Sequence, residues 1–114
     1  MNFLAHAILA GNSPERVAGS LAGDFVKGVI YDDDYPAEFV VGLRLHRRID
    51  AFSNQNVHLR HSAQQLPKSF RRIAPPCIDI IADHFLAVAA TQDPKRYLPP
   101  LCAEANNHVN LLHY

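Results

Sequence analysis

The sequence has few cysteines and no excess of charge of either sign, and both features exclude classes of protein. Its two cysteines, Cys77 and Cys102, lie far apart and form no CxxC motif, which argues against a disulfide framework or a zinc ribbon. We expect both to be small buried residues in a reducing cytoplasm. The 11 basic residues equal the 11 acidic residues in number, so no overall field attracts nucleic acid or a membrane.

Signals for targeting and for membrane insertion are not apparent either. The N-terminal residues lack the basic region and the long apolar core of a signal peptide. No apolar run approaches the length that spans a bilayer. We therefore predict a cytoplasmic protein with no membrane partner. At 114 residues the chain is long enough for one domain with one hydrophobic core.

Period-two alternation, which is typical of half-buried strands, is absent, and apolar residues recur instead at helical spacing. We predict helices at 3–10, 13–27, 36–50, 57–66, 78–90 and about 100–112, with a short helical turn within 67–74. Ser13 and Pro14 suit the start of the second helix, and Gly28 suits its end. Gly19 and Gly23 weaken this helix. They are tolerable if another backbone must approach closely at that face. The sequence therefore predicts an all-α fold.

Polar residues at helical spacing indicate a metal site. His46 and Asp50 are four residues apart, so on a helix both side chains lie on one face and could hold one divalent ion; a simple ion pair is the alternative. Asp24 lies in an apolar setting and is a candidate ligand or general base, or a partner for Arg16 or Lys27.

Further polar groups interrupt apolar helical segments. Asp79, Asp83 and His84 do so in one predicted helix, where a carboxylate is costly unless it is paired or bound to a cation. His6 is a weaker candidate, because a single histidine on an apolar helix is more often a hydrogen-bonded core residue. Residues 42–72 also contain seven basic residues and one acid. They could form a basic face that binds a phosphate or an acidic protein. The alternative is an ordinary solvated surface.

Five motifs follow one another in the first 88 residues. They are Asn2-Phe3-Leu4-Ala5-His6, Gly23-Asp24-Phe25-Val26-Lys27-Gly28, Leu45-His46-Arg47-Arg48-Ile49-Asp50, Arg71-Arg72-Ile73-Ala74, and Asp79 with Asp83-His84-Phe85-Leu86. Together they resemble the acyl carrier protein phosphodiesterase family, which looks like a divergent branch of the all-helical HD metal-dependent phosphohydrolases. HD enzymes usually place His directly before Asp, whereas here the order is Asp83-His84, so the resemblance depends on the five motifs.

The resemblance implies an enzyme that uses a divalent ion, typically Mn²⁺ with Mg²⁺ or Fe²⁺ as alternatives, to cleave 4′-phosphopantetheine from holo acyl carrier protein. Water activated by the metal would attack phosphorus, with the carrier's serine oxygen as leaving group. The implied metal ligands are His6, Asp24, His46, Asp83 and His84. The implied catalytic residues are Asp24 and Asp50, the latter as ligand, orienting residue or base. Lys27, Arg47 and Arg48 would hold the phosphodiester, and Arg44, Arg71 and Arg72 would face the carrier protein.

The family's chains are considerably longer, and the resemblance ends near Val88. It therefore implies an HD-like helical domain at 1–90 and a divergent, helical tail at 91–114. The shortened bundle would leave apolar surface uncovered, which a second copy of the chain could bury as a homo-oligomer. Two alternatives stay open: an HD-like hydrolase of another phosphoester, and a non-catalytic relative that binds metal or carrier protein.

Overall fold

Helices joined by short connections make up the computed structural model, which describes residues 2–97. The helices are α1 (Phe3–Ala10), α2 (Pro14–Ala22), α3 (Ala37–Gln55), α4 (Val57–Gln64), α5 (Ala74–Gln92) and α6 (Pro94–Tyr97), with 3₁₀ turns at Gly23–Phe25 and Lys68–Phe70. The described residues contain no strand, so the predicted all-α class is confirmed. The helix expected at about 100–112 lies outside the described residues.

The first two helix boundaries follow local chemistry. Gly11 ends α1 with φ +83° and donates its backbone N–H to the Ile8 carbonyl, a conformation that glycine adopts at little steric cost. The Ser13 hydroxyl then accepts a hydrogen bond from the Arg16 N–H at 3.3 Å, and Pro14 begins α2. Both boundaries are confirmed as predicted.

The predicted end of the second helix at Lys27 is wrong. The α-helix stops at Ala22, continues as a 3₁₀ turn over Gly23–Phe25, and becomes extended at Val26. Gly23 is a poor helix former, and here it lies against the ring of His46. Because Val26 has left the helix, its carbonyl accepts a hydrogen bond from the Arg47 guanidinium at 3.2 Å.

Glycines let α2 and α3 approach closely. A Cβ on Gly19 would lie 2.1 Å from the Phe39 carbonyl oxygen, and a Cβ on Gly42 would lie 2.1 Å from the Arg16 carbonyl oxygen. A backbone thus approaches Gly19 closely, which is the condition that makes this helical glycine tolerable, and Gly42 is its counterpart on α3; at Gly23 the neighbour is the His46 side chain instead. Leu43, which is fully buried, packs beside this crossing with the other buried residues of the core.

Helix α5 is long and only partly covered. It has 19 residues and a mean hydropathy of 1.2, so its length and composition would suffice to cross a membrane. The expectation that no apolar segment approaches that length is therefore wrong, although Asp79, Asp83 and His84 interrupt this one. Its Ile80 and Phe85 side chains are exposed. Cys77, near its start, is a half-buried free thiol, and Cys102 lies outside the described residues.

Candidate metal centre

Three side chains from two helices converge in the interior. His6 comes from α1, and His46 and Asp50 come from α3. One ligand atom of each lies within 4.8 Å of the other two. The two histidines are buried and Asp50 is half-buried, so the group has an enclosed side and an accessible side.

The Asp50 carboxylate bridges the Nε2 atoms of the two imidazoles. Its Oδ1 is 3.1 Å from His6 Nε2, and its Oδ2 is 3.1 Å from His46 Nε2. The two rings stack with centroids 3.9 Å apart and planes 14° apart. The helical spacing of His46 and Asp50 therefore places both on the same face of α3, as predicted, and α1 supplies the second imidazole.

The hydrogen bonds of His46 determine where its proton lies. Its Nδ1 is 2.7 Å from the Ser20 carbonyl oxygen, which can only accept, so Nδ1 must donate. In a neutral imidazole Nε2 then carries a lone pair, directed at Asp24 Oδ1 and Asp50 Oδ2, each 3.1 Å away. A lone pair facing two carboxylate oxygens is repulsive, and a proton on Nε2, a proton on a carboxyl oxygen or a bound metal ion each removes that repulsion.

The surroundings of His6 favour a bound metal ion over protonation of both imidazoles. Burial, followed by the neighbouring His46, lowers the pKa of His6, while Asp50 acts in the opposite direction. A neutral imidazole is the form that binds metals. The His6 Nδ1 is buried and has no hydrogen-bond partner among residues 2–97. Two stacked imidazoliums would repel each other, so the set of two imidazoles and a carboxylate fits a divalent cation.

Asp24 joins this group at its exposed side. The 3₁₀ turn brings its carboxylate to His46 Nε2, and 62% of the side chain is exposed. The turn can lie there because residue 23 is glycine: a Cβ at that position would be 2.1 Å from His46 Cγ. Arg47 holds the following segment through the Val26 carbonyl, and the exposed Lys27 comes next in the chain.

Two predicted ligands, Asp83 and His84, are not brought to this group. Asp83 Oδ2 accepts a hydrogen bond from the Leu4 N–H at 3.1 Å, and its Oδ1 accepts one from the Ala5 N–H at 3.3 Å. The exposed His84 ring lies edge-on to Phe85, with centroids 5.5 Å apart. Their role as ligands stays a prediction.

The predicted phosphate and partner residues are dispersed over the surface. Arg44 pairs with Asp32 at 2.7 Å and donates to the Ile30 carbonyl. Arg48 is exposed and lines a mainly apolar cavity of about 270 Å³ between α1, α3 and α4. Arg71 and Arg72 are exposed between the second 3₁₀ turn and α5. Only Arg47 is tied to the segment that carries Asp24.

Ser20 is a positioning residue that the sequence did not reveal. It is fully buried, its carbonyl accepts from His46, and its hydroxyl donates to the His6 carbonyl at 3.2 Å. One residue of α2 thereby connects α1 and α3 at the site. Its one sequence signal is a hydroxyl on the glycine-containing face of the second helix, and serine is too common there to indicate such a role.

Comparison with known proteins adds a family. The sequence model of the family described as acyl carrier protein phosphodiesterase matches residues 1–112. This family match reaches beyond Val88, where the sequence motifs end. No solved structure matches the chain.

Curated relatives have the same description. The chain is similar to the acyl carrier protein phosphodiesterase of Pectobacterium atrosepticum, with 39% identity over 87 residues, which cover 76% of this chain and 45% of the relative. The protein of the same name from Photorhabdus laumondii is 40% identical over 88 residues, covering 77% and 44%. The chain thus spans less than half the length of these relatives.

Proposed function

Because the chain belongs to the acyl carrier protein phosphodiesterase family, we propose that it serves in hydrolysis of the phosphodiester between 4′-phosphopantetheine and acyl carrier protein. Water adds to phosphorus and the bond to the carrier's serine oxygen breaks, so apo carrier protein and 4′-phosphopantetheine are released. The observation that carries the proposal is the position of His46 Nε2, which lies 3.1 Å from both Asp24 Oδ1 and Asp50 Oδ2. That arrangement suits a metal-dependent hydrolase.

The residues that would hold a divalent cation are His6, His46 and Asp50, with Asp24 on the accessible side. Mn²⁺ is the proposed ion, with Mg²⁺ and Fe²⁺ as alternatives. When bound, the cation supplies positive charge that polarises the phosphoryl oxygens and lowers the pKa of water. The Ser20 carbonyl keeps the His46 proton on Nδ1, which leaves the Nε2 lone pair available to bind the cation.

The two carboxylates suit different roles. Asp50 is held by both imidazoles, so it is better placed to bind and orient than to exchange a proton with solvent. Asp24 is mostly exposed and can accept the proton of the attacking water as general base. The proton then has a route to the departing serine oxygen through solvent at this side.

Basic residues at the same edge can neutralise the phosphodiester. Arg47 uses one N–H group at the Val26 carbonyl, and a guanidinium has five N–H donors in all, so others remain for a phosphate oxygen. Lys27 is exposed beside it. The exposed Arg48, Arg71 and Arg72 would contact the acidic surface of the carrier protein in the cytoplasm.

Mass spectrometry of holo acyl carrier protein, incubated with the chain and Mn²⁺, tests the proposal. The expected result is loss of the 4′-phosphopantetheine mass, abolished by Asp24→Asn and unaffected by His58→Ala on the exposed face of α4. An unchanged holo protein at high chain concentration would contradict catalysis. Tight carrier binding without product would identify a non-catalytic relative, and turnover of small phosphoesters instead would identify a different hydrolase.

A further inference from the structure

We propose that Asp83 is a positioning residue, which caps the N-terminus of α1 and thereby holds His6 against His46. This role replaces the metal-ligand role that the sequence predicts for it. The inference rests on the metal site of the proposed function, because its consequence is the placement of one of the ligands. Asp83 lies on α5, 77 positions after His6 in the chain, so the link between them is tertiary.

Both oxygens of Asp83 are engaged with backbone N–H groups. The Leu4 N–H donates to Oδ2 at 3.1 Å, and the Ala5 N–H donates to Oδ1 at 3.3 Å. These are second and third residues of α1, whose N–H groups have no partner within the helix. A carboxylate at this position also interacts favourably with the positive end of the helix dipole. The geometry is that of an N-cap supplied from another helix.

Helix α1 has no cap of its own. Asn2, at the N-cap position, forms no side-chain hydrogen bond to the helix, and the first turn contains no acidic residue. The helix is only 8 residues long, and helices this short are marginal without tertiary support. Asp83 therefore supplies what the local sequence of α1 does not.

The capped residues lie directly before His6. Ser20 holds the His6 carbonyl from the other side, through a hydrogen bond of 3.2 Å. The first turns of α1 are thus fixed by a carboxylate on α5 and a hydroxyl on α2, with the imidazole between them stacked on His46. Without the carboxylate, the backbone that carries His6 has one anchor fewer, and the ring loses its fixed position beside Asp50.

The test compares Asp83→Asn with Asp83→Ala by calorimetric titration with Mn²⁺ and by the visible spectrum of the Co²⁺-loaded chain. Asparagine keeps one of the two oxygen acceptors that aspartate offers to the Leu4 and Ala5 N–H groups, whereas alanine keeps none, and asparagine lacks the charge of a ligand carboxylate. We expect Asp83→Asn to bind Mn²⁺ within about threefold of the wild type, and Asp83→Ala about tenfold more weakly. The Co²⁺ spectrum at saturation should be the same in all three, because no ligand is removed.

Asp79→Asn is the matched control, with the same chemical change one turn earlier on α5, and should leave both readouts unchanged. If Asp83→Asn loses as much Mn²⁺ affinity as Asp83→Ala and its Co²⁺ spectrum changes, Asp83 is a metal ligand. That result would reject the inference. Should Asp83→Ala fail to fold, the affinity and spectrum of Asp83→Asn still decide between the two roles.

A metal-independent readout separates this inference from the proposed function. In the metal-free chain, ring-proton contacts between His6 and His46 measured by NMR should weaken in Asp83→Ala and persist in Asp83→Asn. If the wild type binds no cation, the proposed metal site fails, and these contacts alone decide whether Asp83 positions His6. Contacts that are equal in wild type and Asp83→Ala would overturn the inference.

Discussion

The environment of each ring nitrogen decides the chemistry of the two histidines. His46 has its Nδ1 occupied by the Ser20 carbonyl, so only Nε2 can act. His6 has Nε2 beside Asp50 and a buried Nδ1 that no group in the described part of the chain contacts by a hydrogen bond. Metal-binding histidines commonly donate the other ring N–H to a carbonyl, and His46 follows that pattern.

Removing the His46 ring should abolish tight cation binding. Outer partners of metal ligands typically contribute 10–100-fold to affinity, so His46→Ala should weaken Mn²⁺ binding by about 100-fold or more. Titration calorimetry measures this directly. His58→Ala, a histidine on the exposed face of α4, is the control, and equal loss in both variants would contradict the proposed centre.

The lowered pKa of His6 predicts a pH dependence of stability. Burial and His46 keep the folded-state pKa of His6 below its ordinary value of 6.5, so on acidification the unfolded chain takes up a proton that the folded chain resists. The contribution of His6 to the free energy of unfolding is therefore fully present above pH 6.5 and is lost as the pH falls toward the folded-state pKa. The limiting slope is about 1.4 kcal/mol per pH unit.

Urea unfolding in the presence of a chelator, between about pH 5 and 7.5, checks this slope. His6→Asn should flatten the curve relative to wild type, because its side chain does not titrate. Groups distant from the site contribute to both curves alike, so the difference reports His6 together with His46 and Asp50, to which it is coupled. Parallel curves for the two proteins would mean that His6 titrates normally in the fold.

At the scale of elements, the site depends on how α2 and α3 cross. Gly19 and Gly42 remove the side chains that would separate the two backbones. This close approach brings the Ser20 carbonyl to His46 and the turn with Asp24 to the same ring. The crossing therefore determines which ring nitrogen of His46 carries the proton, as well as how the core packs.

Gly42→Ala should destabilise the chain although alanine is the better helix former. Propensity alone would stabilise by about 1 kcal/mol, but the new Cβ would lie 2.1 Å from the Arg16 carbonyl oxygen and 2.7 Å from the Ser20 nitrogen. Backbone atoms move at high cost, so we expect a net loss of about 1–3 kcal/mol. The midpoint of urea unfolding measures it.

Ala51→Gly, at an exposed position of the same helix, controls for propensity and should destabilise by about 1 kcal/mol. A Gly42→Ala variant that is more stable than wild type would show that α2 and α3 do not approach this closely in solution.

At the scale of the whole molecule, the structure is flat, and its described residues expose large apolar side chains. The Cα radius of gyration is 15.7 Å, with extents of 42 × 41 × 22 Å, whereas a compact domain of 100 residues has a radius of about 13 Å. Large apolar side chains are exposed on α3 and α5, including Phe52 at 71% and Phe85 at 66%. Apolar surface of this kind favours association.

We expect the chain to self-associate through α5 as its concentration rises. Sedimentation velocity over a range of micromolar concentrations should show a mass that increases toward a dimer. Phe85→Glu should shift the protein toward the monomer, while Ala87→Glu, which adds the same charge at a smaller exposed side chain of the same helix, should do so less. A monomer at every concentration would count against this prediction.

Local patterns predicted much of the fold, because helix boundaries depend on neighbouring residues. Ser13 with Pro14 and the glycine at position 11 act within one turn of their own positions, and the His46–Asp50 spacing acts through the geometry of a single helix. The second helix was predicted five residues too long because its end is set by the His46 ring against Gly23, a contact with another helix.

The division of roles among similar residues was decided by helix packing. His6 and Asp83 both appear as polar residues within apolar helices, yet one faces His46 and the other faces the start of α1. Spacing along a helix tells which side chains share a face, since that depends on 3.6 residues per turn. The spacing does not tell which helix end or which ring a given face contacts. That contact depends on how helices distant in sequence cross and on which buried groups form hydrogen bonds at the crossing.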